Sequence, residues 1–303
     1  MNEENAISSI RTSEVEPQNE NDRKCAPGIQ FDAGSCITLK ILIEMAKTYN
    51  DGANDNDKIK LYQNLEVLNP RKYKKYLLKQ FNTRMGDKCT TQKCWTEQGF
   101  IKQMKKFAKD ELEKFTFRPY GPEGRFEWLN TININEVMKQ YEKKHPEFKF
   151  LGAVPMDFDD IMPRIKNLSY NELVDEKKSK IGVVFNLDNH NQSGSHWVAL
   201  YADLEKGQIY FYDSYAVPPT KHVRALMRRL NDISKKDMGI KQQYVDYNRI
   251  RHQYGGSECG VYSINFIERM LQGEPFLQIC ESKTPDEKVN KERTNYFYNV
   301  NIK

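Results

Sequence analysis

The chain has 303 residues, of which 38% are hydrophobic and 12% aromatic, so one large domain, or one domain with a smaller appendage, can bury a core. No run of about 18 apolar residues occurs, and residues 1–23 lack the basic start and apolar stretch of a signal peptide, which argues against a membrane or secreted protein. Six cysteines are too few for a disulfide scaffold in a chain this long, so we expect reduced thiols and no metal site at Cys89 and Cys94.

The net charge of +5 is distributed unevenly along the sequence. Residues 1–23 contain two Arg and six acidic residues, whereas residues 71–115 contain thirteen Lys or Arg and five acidic residues. A basic segment of this kind either binds a polyanion such as nucleic acid or forms the solvated face of a helix. The solvated face is the simpler interpretation, and weak nucleic-acid binding by residues 71–115 is kept as the alternative.

The N-terminal part of the chain is predicted to be helical after a polar tail. Residues 1–24 contain few large apolar groups and are expected to be mobile. A boundary is expected near residue 120, because residues 116–125 contain two Gly and two Pro. The chain then divides into a tail (1–24), a helical N-terminal region (25–120) and a larger domain (121–303). Apolar residues at helical spacing predict three helices in the N-terminal region: 35–49, capped by Ser35, then 71–81 and 96–115.

The larger domain is predicted to be a mixed α/β core. Its apolar runs are short and bounded by turn residues, as in buried strands, and they are interrupted by amphipathic helices. The predicted strands are 148–154, 181–187, 196–202, 208–212 and 242–247. The predicted helices are 128–141, one after Pro219, and one that begins at Cys259.

Cys259 is the strongest candidate for a nucleophile. The segment from Gln253 to Gly260 runs from a predicted strand through a Gly-containing turn into an apolar helix, which places the sulfur at the helix N-terminus. The helix dipole and the free N–H groups there favour a thiolate over a thiol. Gly260 leaves space for a substrate backbone to approach. Taken alone, however, Cys259 is more simply interpreted as a buried structural cysteine.

His196 is the histidine best placed to act as the base that a thiolate nucleophile needs. It follows a polar loop and opens an apolar strand, so its imidazole can lie at the rim of a sheet. The next strand ends in Asp213, and a hairpin would bring Asp213 to the same rim, where its carboxylate can orient the imidazole. Without the other residues, Asp213 would be interpreted as the cap of a turn.

Gln253 lies six residues before Cys259. Its side-chain amide can reach the oxyanion that forms at a scissile carbonyl, beside the Cys259 N–H. An ordinary turn contact is the alternative role for Gln253.

The chain resembles the SUMO-deconjugating cysteine proteases and their viral relatives, the adenovirus protease and the African swine fever virus polyprotein protease. Four ordered features over roughly residues 126–273 carry the resemblance: His196-Trp197, Tyr212-Asp213-Ser214, Gln253 and Cys259-Gly260. The resemblance implies an α+β fold, with a papain-like, adenovirus-protease-like core in which helices flank a mixed sheet. It implies a helical N-terminal extension, so that 121–303 is the catalytic domain, and chemistry that needs no metal or cofactor. The sequence departs from cellular members at Glu258, where those proteins usually have Asp.

The segment Trp128-Leu129-Asn130 is similar to the start of the family's catalytic core. The resemblance implies that Trp128 and Trp197 wall a narrow channel, which accepts Gly-Gly before the cut because no side chain fits there. Alternatively, both indoles belong to the core.

The expected activity is that of a cysteine endopeptidase that cleaves viral structural polyproteins after Gly-Gly-type sites during virion maturation. The expected location is the virion and the host cytoplasm. The helical extension and the basic segment favour this substrate over the principal alternative, a deubiquitinase or deSUMOylase acting on ubiquitin-like conjugates. A catalytically inert binding module is the remaining alternative.

Overall fold

The computed structural model describes residues 19–301, apart from the side chain of Leu65, and the chain forms two compact units, Met1–Pro119 and Tyr120–Lys303. Most of the predicted tail, 1–24, lies outside the described residues. Its last part was predicted wrongly, because Glu20–Arg23 form a 3₁₀ helix in which Asp22 is only 1% exposed. Both carboxylate oxygens of Asp22 accept hydrogen bonds of 3.0 Å from the backbone N–H of Gln92, which holds this segment in place within the first unit.

The first unit is helical over its described residues. Its first helix begins after Thr38, whose hydroxyl accepts a hydrogen bond from the Ile41 N–H, and not at Ser35 as predicted. The predicted helix 96–115 is interrupted by a 3₁₀ helix, Gly99–Gln103, because glycine weakens a helix at this point. The α-helices of this unit are α1 (Leu39–Gly52), α2 (Gln63–Leu68), α3 (Pro70–Met85), α4 (Gln92–Trp95) and α5 (Lys106–Phe115).

Two disulfides in the first unit, Cys25–Cys36 and Cys89–Cys94, contradict the prediction of reduced cysteines. Their Cα atoms lie 5.3 Å and 5.5 Å apart, a spacing that a disulfide spans without backbone distortion. The total number of cysteines was a poor guide, because all four bridged residues fall in one small unit. Cys259 and Cys280 are free.

The second unit contains a five-stranded sheet in the order β1-β2-β3-β4-β5. The outer pairs β1/β2 and β4/β5 are parallel, and the inner pairs β2/β3 and β3/β4 are antiparallel. Sequence periodicity predicted all five strands to within two residues, because each strand is an apolar run bounded by turns. The strands are β1 (Phe148–Val154), β2 (Lys180–Asn186), β3 (Trp197–Asp203), β4 (Gln208–Tyr212) and β5 (Tyr244–Tyr247).

Helices cover both faces of this sheet. Every residue of β3 is buried, and alternate side chains join two separate cores, with Ala199 and Tyr201 on one face and Val198 and Leu200 on the other. The helices are α6 (Thr131–Lys144), α7 (Phe158–Ile161), α8 (Pro163–Lys166), α9 (Tyr170–Asp175), α10 (Lys221–Asp232), α11 (Cys259–Leu271), α12 (Phe276–Glu281), α13 (Asp286–Lys291) and α14 (Arg293–Tyr296). Within residues 19–301, no helix has the length and apolar character needed to cross a bilayer.

The predicted helix 128–141 begins three residues later than expected. Asn130 caps α6, since its side chain accepts a 2.9 Å hydrogen bond from the Asn133 N–H while the Asn133 side chain accepts one from the Asn130 N–H. Trp128 therefore lies outside the helix, and its side chain is 49% exposed.

Candidate active site

Cys259 is the first residue of α11, as the sequence predicted. The apolar residues that follow it, among them Val261, Ile264 and Ile267, bury this helix against the sheet. Their burial fixes the helix N-terminus, where the first backbone N–H groups have no partner within the helix. Cys259 is 2% exposed, so its sulfur lies in a site largely shielded from water.

His196 and Asp213 lie side by side, just outside the paired ends of β3 and β4. The His196 Nε2 atom is 2.6 Å from the Asp213 Oδ1 atom, and the two residues are 7% and 1% exposed. Cys259 lies close enough to His196 for its sulfur to raise the pKa of the imidazole. Because Nε2 is engaged by Asp213, Nδ1 is the ring nitrogen that remains for the sulfur. The structure thus brings together three residues that are separated by up to 63 positions in the sequence.

The electrostatics of this group favour a charged imidazole. Burial by itself lowers the pKa of His196, but the hydrogen bonds to Asp213 and to Cys259 outweigh burial and raise the pKa to about 9. An imidazolium between a carboxylate and a sulfur can stabilise a thiolate and can later donate its proton. This is the chemistry of a cysteine nucleophile with a paired general acid.

Asn248 holds Asp213 in place and was missed by the sequence analysis. The Asn248 Oδ1 atom accepts a 2.8 Å hydrogen bond from the Asp213 N–H, and its Nδ2 donates one of 2.7 Å to the Asp213 carbonyl. Asn248 directly follows β5, the parallel neighbour of β4, and is 1% exposed. A polar residue at the end of an adjacent strand was the only signal for this contact in the sequence.

Gln253 lies close to the other candidate residues, but it is fully buried and its side-chain amide is already hydrogen-bonded within the protein. Its Oε1 atom accepts a 2.6 Å hydrogen bond from the Ser214 hydroxyl. Its Nε2 atom donates to the Gly255 carbonyl at 2.9 Å and to the Tyr215 hydroxyl at 3.3 Å. The predicted oxyanion role therefore requires that one of these two amide bonds opens, and the longer bond to Tyr215 is the weaker one.

A buried polar network supports the residues just before Cys259. The Glu258 carboxylate accepts hydrogen bonds from the Ser257 hydroxyl at 2.7 Å and from Asn290 at 2.9 Å. Arg293, which is fully buried, donates to the Asn290 side chain at 3.0 Å and to the Ser257 carbonyl at 3.1 Å. Nothing in the sequence pointed to Asn290 or Arg293, which lie more than 30 residues beyond Cys259 on the short helices α13 and α14.

Trp128 and Trp197 line one cleft of about 620 Å³. Trp197 is 5% exposed, and its indole N–H donates a 2.8 Å hydrogen bond to the Leu129 carbonyl, which ties the two tryptophan-containing segments together. The remaining walls of the cleft include Pro155, Met162, Asn186, Asp188, His190 and Gly194.

Gly260 is not among the residues that line this cleft, and its predicted role in substrate binding stays a prediction. A Cβ atom at position 260 would lie 3.0 Å from the Cβ atom of Leu129 and 3.3 Å from its Cδ1 atom. Gly260 therefore allows the segment that contains Leu129 to pack closely against α11.

The other buried histidine and cysteine of this unit are structural. The His252 Nε2 atom lies 2.9 Å from the Cys280 carbonyl oxygen, and the ring packs edge-on against Tyr212 and Tyr262. Burial raises the pKa of the Cys280 thiol to about 12, so this cysteine is an inert counterpart to Cys259.

A cysteine at a helix N-terminus, a histidine beside it and a buried carboxylate hydrogen-bonded to the imidazole together define a site of the cysteine-peptidase class. The family model described as "Ulp1 protease family, C-terminal catalytic domain" matches residues 132–298, more than half of the chain. The chain belongs to this family.

Similar proteins come from large DNA viruses. A protein of Acanthamoeba polyphaga mimivirus that is named as a thiol protease is 39% identical over 274 residues, which cover 88% of this chain and 89% of that protein. The SUMO-1 cysteine protease of African swine fever virus is 28% identical over 204 residues, 62% of this chain and 73% of that protein. The crystal structure of the African swine fever virus protease has the same fold, with a TM-score of 0.58 and 20% identity over 90% of this chain and 95% of that one. The predictions of a cysteine peptidase and of an α+β core with a helical N-terminal region are confirmed.

Proposed function

We propose that the chain is a cysteine endopeptidase in which Cys259 is the nucleophile, His196 the general base and acid, and Asp213 the residue that orients the imidazole. One observation carries this proposal. A buried histidine lies 2.6 Å from a buried carboxylate and beside a buried cysteine whose sulfur raises the histidine pKa. The raised pKa of His196 supports a thiolate–imidazolium pair as the resting state.

The reaction follows from this arrangement in two stages. The Cys259 thiolate attacks the scissile carbonyl carbon, and the resulting tetrahedral oxyanion collapses when the His196 imidazolium gives its proton to the leaving amine. The carbon–nitrogen bond breaks, and the acyl group remains on sulfur as a thioester. Water then attacks the thioester while neutral His196 takes its proton, which releases the carboxylic acid and restores the ion pair.

The oxyanion is stabilised in this proposal by the backbone N–H of Cys259 at the start of α11, together with the amide of Gln253. Gln253 would exchange its 3.3 Å bond to the Tyr215 hydroxyl for a bond to the oxyanion. The amide is held in place by Ser214 during this exchange, because that bond uses the opposite atom, Oε1.

The substrate we propose has Gly-Gly before the scissile bond. The two indoles that line the cleft support this choice, since Trp197 is fixed by its bond to Leu129 and cannot turn away to admit a bulky side chain. The natural target we propose is a viral structural polyprotein processed in the virion or the host cytoplasm. Similarity to two viral proteases, over most of the mimivirus one, supports a viral target.

A ubiquitin-like conjugate is the second candidate substrate, and the name SUMO-1 cysteine protease carried by one relative favours it. Purified protein should be tested on Gly-Gly-X peptides and on SUMO and ubiquitin with a C-terminal fluorophore, each with Cys259→Ala as the control. Preference for Gly-Gly-X peptides would support the polyprotein, and preference for a folded modifier would support the conjugate. Cleavage retained in Cys259→Ala, or folded wild-type protein without any activity, would contradict the proposed mechanism, and the second outcome would favour an inert binding module.

A further inference from the structure

Tyr215 contacts three residues of the candidate active site: His196, Asp213 and Gln253. We propose that Tyr215 is a positioning residue that holds the His196 imidazole and the oxyanion loop, residues 253–258, in register with each other. This inference rests on the roles proposed above for Cys259 and His196.

The backbone places Tyr215 opposite His196. The pairing of β3 with β4 ends at Ala199 and Tyr212, so His196 and Tyr215 both lie just beyond the paired ends of these strands. The chain turns after β4, and the Tyr215 N–H donates a 2.8 Å hydrogen bond to the Asp213 Oδ1 atom. This oxygen is also the one that His196 contacts, so the turn that carries Tyr215 is fixed to the same carboxylate as the imidazole.

The Tyr215 ring covers one face of the imidazole. The two ring centroids are 4.5 Å apart with an interplanar angle of 18°, a stacked arrangement. An aromatic face at this distance favours the charged over the neutral imidazole. The ring also blocks rotation of His196 away from the Asp213 oxygen, so it supports both the orientation and the charge of the base.

The Tyr215 hydroxyl reaches the oxyanion loop. It donates a 3.0 Å hydrogen bond to the Gly255 carbonyl and accepts the 3.3 Å bond from the Gln253 amide. Burial, followed by the negative charge of Cys259, raises the pKa of this hydroxyl, so it remains protonated and can donate to Gly255 at neutral pH. The Arg251 guanidinium, 4.9 Å from the Tyr215 ring centroid, donates to the Gln253 carbonyl at 2.7 Å and reinforces the same connection.

The ring and the hydroxyl of Tyr215 act on different parts of the site, so the effect of removing each can be measured separately. The ring acts on His196, and its removal should alter the thiolate–imidazolium pair. The hydroxyl acts on the loop that contains Gln253, and its removal should impair only steps in which an oxyanion forms. Alkylation of a cysteine by iodoacetamide needs the thiolate but passes through no oxyanion, so it reports on the pair alone.

The test compares Tyr215→Phe, Tyr215→Leu and wild-type full-length protein by two measurements across the pH range. One is kcat and KM on a fluorogenic peptide amide ending in Gly-Gly, and the other is the rate of Cys259 alkylation. Tyr141→Phe is the matched control, since it removes a tyrosine hydroxyl that donates to Glu268 on the distant part of α11. Thermal unfolding of each variant shows that it is folded.

We expect Tyr215→Phe to lower kcat roughly tenfold, with KM and the alkylation profile unchanged, because the loop loses the 3.0 Å bond from the hydroxyl to the Gly255 carbonyl, which persists when Gln253 turns to the oxyanion. Tyr215→Leu keeps an apolar cover but lacks the aromatic face, so the alkaline limb of its alkylation profile should lie about half a pH unit lower. Wild-type kcat in Tyr215→Phe, or an equal loss of kcat and of alkylation in that variant, would overturn the role of the hydroxyl.

An unshifted alkylation profile in Tyr215→Leu would overturn the role of the ring. If wild-type protein showed no Cys259-dependent cleavage and no Cys259 alkylation, the proposed function would fail and this inference with it. Cys259-dependent activity that is indifferent to Tyr215 would overturn this inference alone.

Discussion

The imidazole of His196 has two partners that act in the same direction on its charge. Asp213 on one side and Cys259 on the other both favour the imidazolium, and together they outweigh the effect of burial. Since the pKa of His196 is raised above its ordinary value of 6.5, the stabilisation that this charge provides is fully present below pH 6.5 and is lost as the pH rises through about 9.

Activity should therefore fall on the alkaline side with an apparent pKa near 9, as the imidazolium loses its proton. In Asp213→Asn, the carboxylate that raises this pKa is removed, so the alkaline limb should move to lower pH and kcat should fall roughly 10²- to 10⁴-fold. The pH dependence of kcat on a Gly-Gly peptide measures both effects. Asp203→Asn is the matched control, because Asp203 is buried at the opposite end of β3. An alkaline limb that is the same in Asp213→Asn and wild type would contradict this assignment.

The sequence was sufficient to predict that Cys259, His196 and Asp213 lie at one site, because their order and spacing match a known pattern and each lies at the end of a recognisable element. It was not sufficient for Asn248 or Tyr215, since their roles depend on strand register. The neighbour of Gly260 could not be predicted for a related reason. A missing side chain shows that something approaches, and only the packing shows that the neighbour is Leu129.

The short helices α13 and α14 support the residues that immediately precede α11. Their residues Asn290 and Arg293 are buried and bond to Glu258 and Ser257, immediately before Cys259. Burial lowers the pKa of Arg293, and the charge of Glu258 partly offsets that effect. Two opposite charges in one buried network stabilise the fold only while both are present.

Arg293→Met should therefore reduce the free energy of unfolding by roughly 1–3 kcal/mol, because the Asn290 side chain and the Ser257 carbonyl each lose a buried hydrogen-bond donor and Glu258 loses a nearby positive charge. Glu258→Gln combined with Arg293→Met should recover part of this loss. Lys291→Met, at an exposed position on α13, should change stability by less than about 0.5 kcal/mol. Urea denaturation of the wild type and these three variants measures the differences in stability. Equal stability of Arg293→Met and Lys291→Met would rule out a structural role for the buried network.

At the level of elements, periodicity was most reliable where burial is complete. The strands β1 and β4 were predicted with the observed bounds, since apolar runs of five to seven residues between turns leave little choice. The apolar stripe of 96–115 wrongly predicted one helix, because a 3₁₀ helix followed by α5 buries Ile101, Met104, Ala108 and Leu112 equally well. The helices α12 to α14 were missed because each is only four to six residues long.

The whole molecule combines a catalytic unit whose cysteines are free with a helical unit that carries both disulfides. Denatured, non-reduced protein should alkylate at two cysteines and, after reduction, at all six. Replacing Cys25 and Cys36 together by Ser should cost about 2–4 kcal/mol of stability, because the unfolded chain regains the freedom of the closed loop. Intact-mass spectrometry counts the thiols, and six alkylated residues before reduction would contradict the assigned bridges.

The basic segment 71–115 is less available to a polyanion than its composition indicates. Lys74 and Lys93 are buried and donate to the carbonyls of Ser35 and Arg118, and Lys114 is paired with Asp110. Nucleic-acid binding by this segment stays a prediction.

If residues 71–115 bind nucleic acid, duplex DNA affinity should fall steeply with salt, and Lys102→Ala combined with Lys106→Ala should reduce the salt slope by about 2. Fluorescence anisotropy measures this slope, and no binding at low salt would exclude this role.

The most direct test of Cys259 as the nucleophile is to identify the residue that a Gly-Gly peptide electrophile modifies in the intact protein. Mass spectrometry should find the adduct on Cys259 and none on Cys280, whose buried thiol has its pKa raised to about 12. Cys259→Ala should abolish the adduct, and His196→Ala should slow its formation. An adduct at another residue, or undiminished peptide cleavage by Cys259→Ala, would contradict the assignment of Cys259 as the nucleophile.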